Sequence, residues 1–132
     1  MDSFDFIQSD MLSYSAKHGY INIIKVLFKF GGSSFLNQPN NYNCTPIETL
    51  AKEQKEKPNL DQNYIDSILY LLKKGAKISI SENTNNFEDL CGENKQLKAL
   101  LLGNILFVFI INIFIIFKII FYYFLNYFFI IF

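Results

Sequence analysis

Two stretches of the chain repeat one pattern of apolar and polar positions. The first is Gly19-Tyr20-Ile21-Asn22-Ile23-Ile24-Lys25-Val26-Leu27-Phe28-Lys29-Phe30-Gly31-Gly32. The second is Asn63-Tyr64-Ile65-Asp66-Ser67-Ile68-Leu69-Tyr70-Leu71-Leu72-Lys73-Lys74-Gly75-Ala76. Ile21, Ile24, Leu27 and Phe28 form one apolar stripe, and Ile65, Ile68, Leu71 and Leu72 form its counterpart. Steps of three and four residues predict short amphipathic helices. Lysine stands near the end of each, where the helix dipole favours a cation. A glycine follows each, suited to the left-handed residue that closes a helix.

Each of these helices has a predicted partner upstream. In 10–16 the partner starts at Asp10, read as its N-cap. In 45–51, Thr45 is the N-cap and Pro46 takes the first helical position, where its missing N–H is harmless. Glu48, three residues after Thr45, completes a capping box. Residues 86–92 repeat the motif behind Asn86, and 96–101 begin a further outer helix. The organisation is helix, short turn, helix, long loop, in units of about 8–40, 41–80 and 84–101.

The rest of the chain, 102–132, is of another kind. No charge occurs in 99–117, and Lys118 is the one charged residue from there to the end. As a helix, 105–132 is about 42 Å long at ~1.5 Å per residue, against a hydrocarbon core about 30 Å thick. One crossing is predicted, with Tyr122, Tyr123 and Tyr127 suited to an interfacial belt. Lys118 costs roughly 2.5–3.5 kcal/mol at the bilayer centre, which the many Ile, Phe and Leu residues outweigh. Lys95 and Lys98 before the span agree with a cytosolic N-terminal side. A second reading stays open. The tail is built almost wholly from residues with A/T-only codons, as a reading frame running on into AT-rich sequence would be.

The repeated unit resembles the ankyrin repeat. Thr45-Pro46-Ile47-Glu48 stands in the place of that family's Thr-Pro-Leu-His signature. Ser15-Ala16-Lys17-His18-Gly19 matches the inner-helix end and turn, and Lys73-Lys74-Gly75-Ala76 the outer-helix end. The likeness covers about residues 8–101. Gly31 and Gly75 stand 44 residues apart, against about 33 for the family's unit. Most of the excess falls in 52–62, which is expected to prolong the inner helix until Pro58 stops it. The fold class implied is all-α: an ankyrin-like helix-turn-helix stack over 1–101, followed by a C-terminal transmembrane helix in 102–132.

Charge and chemistry narrow the function classes. Residues 1–98 hold all 12 acids and 11 lysines, with no arginine, and are nearly neutral. A domain without Arg forks or a basic face is a poor nucleic-acid binder. Cys44, Cys91 and the single His18 are too few for a zinc site of the usual ligands and make no disulfide framework. The N-terminus is acidic where a secretory signal needs positive charge. His18 is the one imidazole in the chain, but no nucleophile or carboxylate cluster accompanies it in the sequence. No enzyme motif, cofactor or small-molecule substrate is expected.

The resemblance implies a non-catalytic protein-interaction module tethered to a membrane, its repeats in the cytosol. Its binding face would use loop tips and inner-helix surfaces: Asn41, Tyr42, Cys44 and Lys52 in one unit, Glu82, Asn83 and Asn85 in the next. The protein partner is not named by the sequence. Alternatives are a piece of an ankyrin-bearing membrane transport protein and a degenerate repeat with no selected role.

Overall fold

The computed structural model describes residues 3–78 and 86–131, and among them every regular element is helical. In chain order these are α1 (Ser3–Lys17), α2 (Ile21–Lys29), α3 (Pro46–Gln54), α4 (Gln62–Lys73), α5 (Asn86–Cys91) and α6 (Lys95–Ile131). A 3-10 turn at Gly32–Phe35 follows α2. The chain divides into two compact units, Met1–Leu100 and Leu101–Phe132.

In the first unit, α1 packs on α2 and α3 on α4, each pair consecutive in the chain. Contacts also run between α1 and α3, α3 and α5, and α2 and α4. The apolar stripes meet at these contacts. Ile24 and Leu27 of α2 and Ile68, Leu71 and Leu72 of α4 are buried, as are Leu12 and Ala16 of α1 and Ile47, Leu50 and Ala51 of α3. Phe28 meets Tyr70 edge-on at 5.5 Å, and Lys74 lies over both rings.

The helix boundaries predicted at Thr45, Gly31 and Gly75 have local causes that the structure reproduces, whereas Asn86, expected as a cap, is the first residue of α5. Gly31 and Gly75 follow α2 and α4 with φ of 96° and 97°, a left-handed conformation that a Cβ resists. Pro46 opens α3 behind Thr45, whose N–H donates to Glu48 Oε2 at 2.9 Å. The Thr45 hydroxyl is turned toward the Glu48 amide without a bond of good geometry, so Glu48 carries most of that box. Asn37 ties one loop to the next: its Nδ2 donates to the Gly75 carbonyl at 3.2 Å, and its Oδ1 accepts from Lys77 N at 2.7 Å.

Three further boundaries differ from expectation. Asp10 is not a cap, because α1 starts at Ser3 and passes through it. No Gly or Pro interrupts 3–17, so a helix once nucleated propagates, and an interior Asp costs only a few tenths of a kcal/mol. The inner helix stops at Gln54 rather than running to Pro58. A proline ring clashes with the carbonyl four residues upstream, which here belongs to Gln54. The outer helix expected from Gln96 and the apolar tail are one helix, α6, of 37 residues. Gly103 lies inside it and does not break it, since one helical glycine costs only about 1 kcal/mol.

Gln54 is fully buried at the end of α3, and neither atom of its amide has a hydrogen-bond partner. An unpaired buried amide costs about 1–3 kcal/mol, so an apolar group of the same shape is preferred there. Gln54→Met is expected to raise the unfolding free energy by about 1 kcal/mol, read as a higher urea midpoint at unchanged slope. A lower midpoint would show that the amide is satisfied.

The second unit is the rest of α6. Phe109–Ile131, 23 residues with a mean hydropathy of 2.0, is long and apolar enough to cross a membrane, and none of it is buried within the protein.

Candidate functional site

The loop between the 3-10 turn and α3 is folded by one side chain, Asn40. Its Oδ1 accepts from the N–H of Tyr42 at 2.9 Å and of Cys44 at 3.1 Å. Its own N–H donates to the Cys44 carbonyl at 2.9 Å, and its Nδ2 donates to Thr49 Oγ1 on α3 at 3.3 Å. Asn43 completes the bend with φ of 56°, a left-handed state that asparagine tolerates better than most residues. This turn thrusts the Tyr42 ring outward, where it is 86% exposed, and draws Cys44 inward, where it is buried.

Opposite the loop stands α1. Met11 and Tyr14, three residues apart on one helical face, are both exposed. Between loop, α1 and the outer face of α3 lies an open groove of about 930 Å³. Asn41, Tyr42, Cys44 and Lys52 all line it, with Met11, Tyr14 and Ile23 supplying apolar surface and Asp10 and Glu53 supplying acid. The four residues singled out in the 41–80 unit thus share one surface. Glu82, Asn83 and Asn85 lie outside the described residues.

The polar centre of the groove is a thiol and an amine. Lys52 Nζ donates to Cys44 Sγ at 2.9 Å, and Sγ in turn donates to the Tyr42 carbonyl at 3.3 Å. The hydrogen bond to Cys44 holds the Lys52 ammonium above the usual lysine value; partial burial opposes this, while electrostatic attraction toward Cys44 and Glu48 adds to it. A raised folded-state value means the pairing stabilises the fold at neutral pH and is lost as pH rises past the lysine range. Lys17 and Glu53, 3.9 Å apart and both well exposed, contribute little at the rim.

His18 is packed between tyrosines, with its ring 4.5 Å from Tyr14 and 5.5 Å from Tyr20. No cluster of three His, Cys, Asp or Glu able to hold a metal occurs among the described residues.

Sequence reasoning missed Asn40, Met11 and Tyr14. An asparagine two residues before the loop tip is a recognisable Asx-turn signal. Met11 and Tyr14 share one face of the predicted helix in 10–16 as well, but only the packing of α1 beside the 40–44 loop leaves that face exposed along the groove. Compared with known proteins, the chain matches no family model, no curated protein and no solved structure.

Proposed function

We propose that the chain is a non-catalytic protein-interaction module: an ankyrin-like helical stack, tethered through α6 to a membrane, with the stack on the cytosolic side. The observation that carries this reading is the groove, where an almost fully exposed Tyr42 faces Met11 and Tyr14 across a polar centre. Tyrosine in such a setting is a typical binding anchor, apolar in body with a hydroxyl at the tip. The ankyrin-like reading draws support from the two kinds of helix contact, within consecutive pairs and between counterpart helices. The tether draws support from the length and apolarity of Phe109–Ile131, and the orientation from Lys95 and Lys98 ahead of it.

Tyr42→Ala in the full chain is expected to lower capture of the partner about tenfold or more, as loss of a hot-spot side chain does. The measurement is quantitative recovery from detergent-solubilised membranes on the tagged chain. The variant should keep its helical circular dichroism, because the exposed ring supports no core contact. Equal recovery by both chains would remove Tyr42, and the groove with it, from the binding face.

A further inference from the structure

Cys44 and Lys52 meet in a way that the interaction reading does not use. Their sulfur and nitrogen are 2.9 Å apart, eight residues apart in the chain, one on the loop and one on α3. Both line the open groove, Cys44 as a buried residue in its wall. A thiol oxidised to sulfenic acid condenses with a thiol to a disulfide or with a backbone nitrogen to a sulfenamide. Here those amides are engaged: Cys44 N–H donates to Asn40 Oδ1 at 3.1 Å, and Thr45 N–H to Glu48 Oε2 at 2.9 Å. The Lys52 nitrogen already lies 2.9 Å from the sulfur, and proximity of this kind raises effective concentration by orders of magnitude.

We propose that Cys44 and Lys52 form a redox-modification site, in which a peroxide oxidises the sulfur and the Lys52 amine captures it as a cross-link. In the first step the Cys44 thiol gives up its proton to solvent and the resulting thiolate attacks one peroxide oxygen. An S–O bond forms, the O–O bond breaks, and the departing hydroxide takes a proton as water. Sulfur is oxidised by two electrons and the peroxide is reduced. In the second step Lys52, having released a proton to solvent, attacks the sulfenic sulfur. An S–N bond forms, the S–O bond breaks, and the hydroxyl leaves with an amine proton as a second water. Thiol, amine and hydrogen peroxide become a sulfenamide and two waters. The link removes the Lys52 charge and pins the Tyr42-bearing loop to α3. It stands on the geometry of the pair and does not depend on what the groove binds.

The test treats the full chain in detergent micelles with hydrogen peroxide, alkylates remaining thiols, digests with trypsin and reads the peptides by mass spectrometry. The expected product spans 30–55, is uncut at Lys52, is unalkylated at Cys44 and is lighter by two hydrogens. Dithiothreitol should reverse it. Lys52→Arg should abolish it, Cys91→Ser should leave it intact, and unfolding in urea before the peroxide should cut its yield at least tenfold. Recovery of Cys44 as sulfinic acid, as a disulfide or as an alkylated thiol, with Lys52 cleaved, overturns the proposal. An equal yield in urea overturns it as well.

Discussion

Replacing Phe117 and Ile120 together by arginine is expected to release the chain from membranes. Of the 23 residues in Phe109–Ile131, 17 are Ile, Phe or Leu. At the centre of a span each favours insertion by about 0.3–0.6 kcal/mol, which sums to roughly 5–10 kcal/mol. Lys118 already takes back about 3 kcal/mol of that. Two more cations near the middle, with the loss of two apolar groups, cost about 6–8 kcal/mol and exhaust what remains. The readout is flotation on a density gradient after expression. The parent chain should rise with the lipid, and the double variant should stay in the load or sediment. A Phe117→Leu, Ile120→Leu chain should float like the parent. Flotation of the arginine variant would show that α6 is not what holds the chain at the lipid.

Asn94→Ala is expected to destabilise the helical stack by about 3 kcal/mol. Asn94 is almost fully buried, and each polar atom of its side chain is in use. Nδ2 donates to the carbonyl of Gln54 at 3.0 Å and of Lys57 at 2.9 Å, while Oδ1 accepts from Leu97 N at 2.9 Å. One amide thus closes the exit from α3 and caps the start of α6. Loss of the cap costs about 1 kcal/mol and each stranded bond about as much again. Asn94→Asp separates the two roles. A carboxylate still caps the helix, but it cannot donate, and it sets negative charge against two carbonyls. It is expected to be no better tolerated than alanine. Urea titration of the full chain in micelles, followed by tyrosine fluorescence, gives both values. A loss below about 0.5 kcal/mol in both variants would mean that water replaces the amide.

Much of the helical order follows from neighbours close in the chain. The stripes of Ile24 and Leu27 and of Ile68 and Leu71 are period-3.6 patterns, and they are buried as that pattern requires. Pro46, Gly31 and Gly75 act through fixed backbone preferences, so they mark the same boundaries in sequence and in structure. The apolar run of the tail is equally plain, since it needs only length and hydropathy. In the groove, Tyr42 and Lys52 were visible as loop and helix-face residues, but the surface they share with Met11 and Tyr14 was not.

What the chain order could not convey depends on groups far apart along it. The stop at Gln54 is sealed by Asn94, forty residues later, and Leu60 N–H is held by Gln96 Oε1 at 3.0 Å. Cys44 and Lys52 become a pair because Asn40 folds the loop back onto α3. Periodicity, caps and hydropathy act over one or two turns and are written in the residues themselves. Side-chain bonds between distant segments act only once packing has brought those segments together, so they belong to the folded chain.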